Sequence, residues 1–249
     1  MRRGIALGLL LAMIGVAREA SAEDAQGGDA LILYYHERPP YSAQQPDGSV
    51  RGITADIAAA ALQAAGVAFR WTDLPSARQM EVIRRGETRV CGLGWFKTTD
   101  REAFAKFSGP IYHDRPSIVV ARADDQRFAG TPTIDALFGN KALTLLTKTG
   151  YSYGAELDQK IASEAPTKRT DASDNRTMLG MISHARVDYM IMAEEEAKDL
   201  LGQADITQWG LAIYPLQNAP AGELRYLMCS KAVPDEVIRR IDEKLPQVE

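Results

Sequence analysis

The strongest constraint on this chain is an alternation, met twice, of short apolar runs with segments of helical period. Residues 31–35 form an apolar run broken at Pro39-Pro40, which reads as a strand and then a loop. An alanine-rich segment, 55–65, follows Thr54 as its cap and stops at Gly66, a helix with both boundary signals. Val67, Phe69 and Trp71 alternate as a strand, 76–85 reads as a second helix, and 90–95 as a buried strand. The order then restarts, with strands over 117–121 and 143–146, helices over 153–162 and 177–184, a strand over 187–192 and a helix over 194–201. Strands joined through helices form parallel sheets, so the chain is α/β and contains two such units. A strand over 224–229 and a helix over 235–245, opened by Pro234, complete it.

Ahead of this pattern, Arg2 and Arg3 precede an apolar run, 5–16, and the small residues Ala20-Ser21-Ala22. That order is a secretory signal peptide over residues 1–22, and a run of this length is short of the roughly 20 residues a bilayer span needs. Its removal leaves 26 basic and 32 acidic side chains, from 29 and 33 in the whole chain. A net charge of −6 attracts neither nucleic acid nor an anionic membrane. The roughly 227 remaining residues suit two lobes better than one core. Secretion puts Cys91 and Cys229 in an oxidising compartment, where they either pair or stay as buried thiols. His36, His113 and His184 are scattered and neither cysteine has a CxxC or CxxH partner, so no metal and no cofactor is implied.

The phrase Gly92-Leu93-Gly94-Trp95-Phe96-Lys97-Thr98-Thr99-Asp100-Arg101, followed by Phe107-Ser108-Gly109-Pro110-Ile111-Tyr112, resembles the periplasmic solute-binding proteins of polar amino-acid ABC transporters, bacterial extracellular solute-binding protein family 3. Pro39-Pro40-Tyr41, Asp47-Gly48, Gly52 and Asp56 look like that family's opening strand, ligand loop and first helix, and Arg186-Val187-Asp188 looks like its late strand. The resemblance implies a two-lobed periplasmic-binding-protein fold, each lobe a mostly parallel sheet flanked by helices, with the ligand cleft between the lobes. Residues 23–113 and 214–249 would form lobe 1 and residues 114–213 lobe 2. It also implies a disulfide between Cys91 and Cys229, both on first-lobe strands.

Thr99-Asp100-Arg101-Glu102 has the form of a capping box, which puts Arg101 in a first helical turn. The resemblance gives Arg101 the grip on a ligand carboxylate, and a guanidinium fork matches that group. Tyr41, Trp95, Phe96 and Thr99 lie where it places cleft groups. Gly150, Tyr151 and Ser152 open a second-lobe helix whose free amides face the ligand from the other side. Two departures count against an ordinary α-amino acid. Leu93, Gly94 and Phe96 replace small hydroxyl residues, and Ala193 stands where an acidic side chain receives the ligand's ammonium, with Glu194 one place later. Glu194 belongs to the site if it turns inward, whereas Glu195 and Glu196 read as acidic residues stabilised at a helix start.

The expected protein is therefore periplasmic and monomeric, binds a small polar, carboxylate-bearing solute, an amino acid or a related compound, and hands it to an ABC permease or, as a ligand-sensing module, to a membrane receptor. A lyase or dehydratase on the same fold would work with Glu37, His36 or Glu194 near Arg101. No His-carboxylate or Ser-His pairing occurs at a fixed spacing, so binding and not catalysis is expected.

Overall fold

The computed structural model describes residues 30–164 and 166–248, and the leader expected over residues 1–22 lies outside them. The chain starts with β1 (Leu31–Tyr35), a small hairpin of β2 (Ala43–Gln44) and β3 (Val50–Arg51), α1 (Ile53–Ala64), β4 (Phe69–Asp73) and α2 (Ser76–Arg85). It continues through β5 (Val90–Phe96), α3 (Thr99–Glu102) and β6 (Ala105–His113), then crosses into a second unit. That unit holds β7 (Ile118–Arg122), α4 (Ile134–Gly139), β8 (Leu145–Lys148), α5 (Ala155–Ser163), β9 (Lys168–Asp171), α6 (Asn175–Ser183), β10 (Tyr189–Met192), α7 (Glu194–Gly202) and β11 (Leu211–Pro215). The chain returns for β12 (Leu224–Ser230) and α8 (Asp235–Asp242).

Two five-stranded sheets result, ordered β4-β1-β5-β12-β6 and β11-β7-β10-β8-β9. Each has apolar clusters on both faces: Leu31, Leu33, Leu62 and Ile241 against Ile83, Val90 and Met228 in the first, and Met178 and Ile182 against Phe128, Leu145 and Tyr189 in the second. The second sheet takes in Tyr214 and Pro215, which pair with Val119 and Ile118.

Each sheet is parallel over half its pairings and antiparallel over the other half, more mixed than the strand-helix alternation suggests. The antiparallel pairings all involve β7, β11 or β12, strands beside the two crossings, where no helical crossover fixes direction. β6 runs unbroken through Gly109-Pro110, β9 is almost wholly exposed and β11 half-exposed. These were invisible to periodicity because they sit at sheet edges with little apolar alternation. The N-cap of α1 is Gly52 and not Thr54, whose hydroxyl donates to the Tyr41 carbonyl at 3.0 Å. The amides of Ile53, Thr54 and Ala55 reach the carbonyls of Pro40 and Tyr41, so the loop after β1 closes the helix start and is fixed by it.

Cys91 and Cys229 face each other on the paired strands β5 and β12 and are joined by a disulfide. The bridge closes a loop with a sequence separation of 138, which contains the entire second sheet. Removing it with Cys91→Ala/Cys229→Ala should lower stability by about 2–4 kcal/mol, because the unfolded chain loses a long loop constraint. Urea unfolding of the variant beside the oxidised parent measures this; equal midpoints would contradict it.

Candidate functional site

A cleft opens between the sheets, walled by the ends of β1 and β5 on one side and by β8, β10 and the starts of α5, α6 and α7 on the other. Its first-lobe wall depends on one irregularity. Tyr226 pairs with Trp95 and Met228 with Gly92, so two residues of β5, Leu93 and Gly94, oppose the single Leu227. Gly94 takes φ +73°, a left-handed conformation that glycine tolerates and that makes such bulges. The extra residue shifts the phase of the strand. Cys91 and Leu93 stay in the core beneath α1, while Trp95 packs on the opposite face with Val90.

Trp95 is held from three sides. Its indole Nε1 donates to Gln79 Oε1 at 3.1 Å, and Gln79 Nε2 donates to the Leu74 carbonyl at 2.7 Å. It also covers Gly92 so closely that a Cβ there would lie 2.4 Å from the indole nitrogen. The free face of the ring carries the Arg101 guanidinium at 4.8 Å. Arg101 Nη1 donates to the Phe96 carbonyl at 2.8 Å, and the side chain is buried. Among the described residues no carboxylate pairs with it. Burial lowers its pKa, only partly countered by Asp158. The result is a fixed, desolvated cation with unused donors facing the cleft.

Two other cleft arginines are already paired. Arg225, on β12, donates to both oxygens of Asp114 at 2.6 and 2.5 Å and to the Gly94 carbonyl at 2.9 Å. Arg38, from the loop after β1, crosses to the second lobe and donates to both oxygens of Glu196 at 3.0 and 2.7 Å. Glu196 also accepts from Asn175 Nδ2 at 2.6 Å, and Asn175 Oδ1 accepts from Lys148 Nζ at 3.1 Å. Burial opposes both charges of this pair. The mutual attraction outweighs it, so the Arg38 pKa is raised and that of Glu196 lowered. A second interlobe contact joins His36 Nε2 to the Tyr151 hydroxyl at 2.8 Å. Burial, and then the charges of Arg38 and Lys148, push the His36 pKa down to about 3, so the imidazole is neutral in the closed cleft. A third joins the Tyr112 hydroxyl to Glu195 at 2.8 Å.

Of the residues expected in the site, Trp95, Phe96, Arg101, Gly150, Tyr151 and Ser152 line one cavity together. Tyr41 lies behind it, almost fully buried, with its ring under Arg225 at 4.4 Å and Arg38 at 4.8 Å. Thr99 faces a neighbouring groove, and the helix cap is Thr98, whose hydroxyl accepts from the Arg101 amide. Glu194 stands at the rim, paired with Lys198 and, at 3.8 Å, with Arg115; the carboxylate that turns inward from α7 is Glu196. Sequence reasoning passed over Arg38, Asp114, Lys148, Asn175 and Arg225 as site residues. Only Arg225 carried a local signal, a charge inside an otherwise apolar strand. No group of three His, Cys, Asp or Glu among the described residues could hold a metal ion.

Two α/β lobes, joined by two crossings and lined on both sides with polar groups aimed into one cleft, define a protein of the two-lobed solute-binding class. Residues 31–244 match the model of bacterial extracellular solute-binding proteins, family 3, and the chain belongs to that family. The fold is that of an ancestral arginine-binding protein bound to arginine, with TM-score 0.68 and 14% identity over 88% of this chain and 91% of that one. It is also similar to a structure from work on glutathione import via GshT and the cystine ABC importer TcyBC of Streptococcus mutans (TM-score 0.69, 11% identity, 86% of each chain). The arginine-binding protein of T. maritima in its holo form gives 0.65, with 18% identity over 86% of this chain and 87% of that one. No curated protein sequence matches.

Replacing Arg38 by Met strands Glu196 in the cleft, and an uncompensated buried charge should cost the closed form about 3–5 kcal/mol. Small-angle scattering should show Arg38→Met opened, and Arg38→Met/Glu196→Met closed again; a double variant as open as the single one would show that attraction, not a stranded charge, governs closure. His36 adds a pH dependence. An imidazole that ordinarily titrates near 6.5 is refused its proton in the closed form, so its contribution is complete above that pH and is lost as pH falls toward 3. The melting temperature should drop on acidification from pH 7.5 to 5.5, by up to about 1 kcal/mol of stability, and His36→Gln should flatten that part of the profile. Gly92→Ala, which drives a methyl into Trp95, should destabilise by about 1–3 kcal/mol and weaken any ligand held by Arg101; unchanged thermal unfolding would refute the contact.

Proposed function

We propose that this chain captures a small carboxylate-bearing solute in the periplasm and delivers it to an ABC-type permease. The observation that carries the reading is Arg101, a buried guanidinium fixed on Trp95 and left without a carboxylate at the wall of the cleft. The other two buried cleft arginines, Arg38 and Arg225, have bidentate partners of their own, and the exposed Arg115 at the rim lies beside Glu194 and Glu195, so an anion entering the cleft meets in Arg101 a buried arginine with donors to spare. Contacts from both lobes line the same cavity, and a ligand that touches both only when they close shifts the population toward the closed form. The N-terminal leader pattern and the Cys91–Cys229 bridge support an oxidising, extracytoplasmic setting, and in the proposed role the binder acts there as a monomer.

The groups considered for catalysis favour binding too. Glu37 accepts from the Gln44 amide in the loop, Glu194 is engaged at the rim, and His36 is bonded to Tyr151. Among the described residues none of them forms a His-carboxylate or Ser-His pair.

A thermal-shift screen over amino acids, organic acids, amines and short peptides tests the reading. A ligand at a hundred times its dissociation constant should add about 2.7 kcal/mol to the unfolding free energy. Arg101→Ala should abolish that shift without lowering the melting temperature of the unliganded protein. No shift with any member of the panel would sink the proposal.

A further inference from the structure

Resting on that reading, we infer that the preferred solute is a small organic dianion without an ammonium group, a dicarboxylate whose two acidic ends meet Arg101 and Lys148. The charges around the cavity lead there. Two basic side chains on its wall have no carboxylate partner, Arg101 from the first lobe and Lys148 from the second. Lys148 is held by a neutral group, Asn175 Oδ1, and lies over the Tyr151 ring at 4.7 Å, so it is oriented without being neutralised.

The acidic side chains tell the complementary story. Glu196 is saturated by Arg38 and Asn175, and Asp114 by both donors of Arg225. Glu223 accepts the free amide of Ala155 at the start of α5. Only Glu156 has no bonded partner, and it is exposed in the first turn of α5, where the helix dipole already favours its charge. At the end of β10, Ala193 presents a buried methyl to the cavity. An ammonium group would meet no free buried carboxylate, since Glu196 and Asp114 are taken and Glu223 and Glu156 lie in partly or fully exposed positions, and it would be repelled by the two unpaired cations Arg101 and Lys148. A second carboxylate finds a cation waiting in the opposite lobe, and spanning the two couples its binding to closure.

Titration calorimetry with the straight-chain dicarboxylates from malonate to adipate tests this, each compared with its monoamide and with the amino acid of the same skeleton, such as glutarate with glutaramate and glutamate. One diacid should bind at least tenfold more tightly than both counterparts. Lys148→Gln should remove its advantage over the monoamide while the melting temperature of the unliganded protein stays unchanged, and Arg101→Ala should remove binding altogether. A tighter grip on the amino acid, or a diacid preference that survives Lys148→Gln, overturns the inference and leaves solute binding intact. Silence across the diacids alongside a shift by some other member of the wider panel overturns it in the same way, whereas silence across both sets removes the binding reading as well.

Discussion

A guanidinium cannot be buried cheaply. Taken out of water it must be paired, stacked or both, or the fold loses several kcal/mol. The cleft of this protein contains three arginines in that condition, and their different solutions organise everything around them. Arg225 is paired within its own neighbourhood by Asp114, at the crossing out of β6, and stacks between Tyr41 and Phe96. Arg38 is paired across the cleft by Glu196, so its neutralisation requires the lobes to be together. Arg101 has stacking and one backbone carbonyl but no anion. The three thus run from a local ion pair, through one across the cleft, to a guanidinium with no carboxylate partner among the described residues.

Closure follows from the second of these. Ion pairing across the cleft yields little net energy once desolvation is counted, but it is selective, because the two charges are compensated in one relative position of the lobes and in no other nearby. His36 with Tyr151 and Tyr112 with Glu195 add neutral or singly charged bonds at different heights of the same wall. These contacts exist only with the lobes together. Under the function proposed above, a solute touching both lobes would have to supply the free-energy gap between the open and closed states and not the whole cost of assembling the cleft.

Much of this was legible in the residues. The double alternation of strands and helices gives two α/β units, and α2 falls on 76–85 as its periodicity indicates. The family resemblance singled out the first-lobe phrase that contains Trp95, Phe96 and Arg101, and the strand-to-helix turn with Gly150, Tyr151 and Ser152 was visible in the residues themselves. What could not be read was pairing at a distance. Arg225 and Asp114 are 111 positions apart, and Arg38 and Glu196 158 apart, so nothing local marks either as a partner of the other. The phase of β5 was equally hidden. Strict alternation puts Cys91, Leu93 and Trp95 on one face, and only the bulge at Gly94 sends the indole to the other, where it can carry Arg101.

The three consecutive glutamates show how fine that limit is. Successive residues of a helix point about 100° apart, so Glu194, Glu195 and Glu196 at the start of α7 face three directions, and the residue at which the helix begins decides which of them enters the cleft. With Ala193 as the cap, Glu194 turns to Lys198 and Arg115 at the rim, Glu195 meets Tyr112, and Glu196 lands between Arg38 and Asn175. The same rotation that buries Ala197 and Leu200 in the second-lobe core puts Glu196 beside Arg38, so the helix's packed face and the buried pair agree on one orientation. No side chain caps the start, and these tertiary contacts hold it.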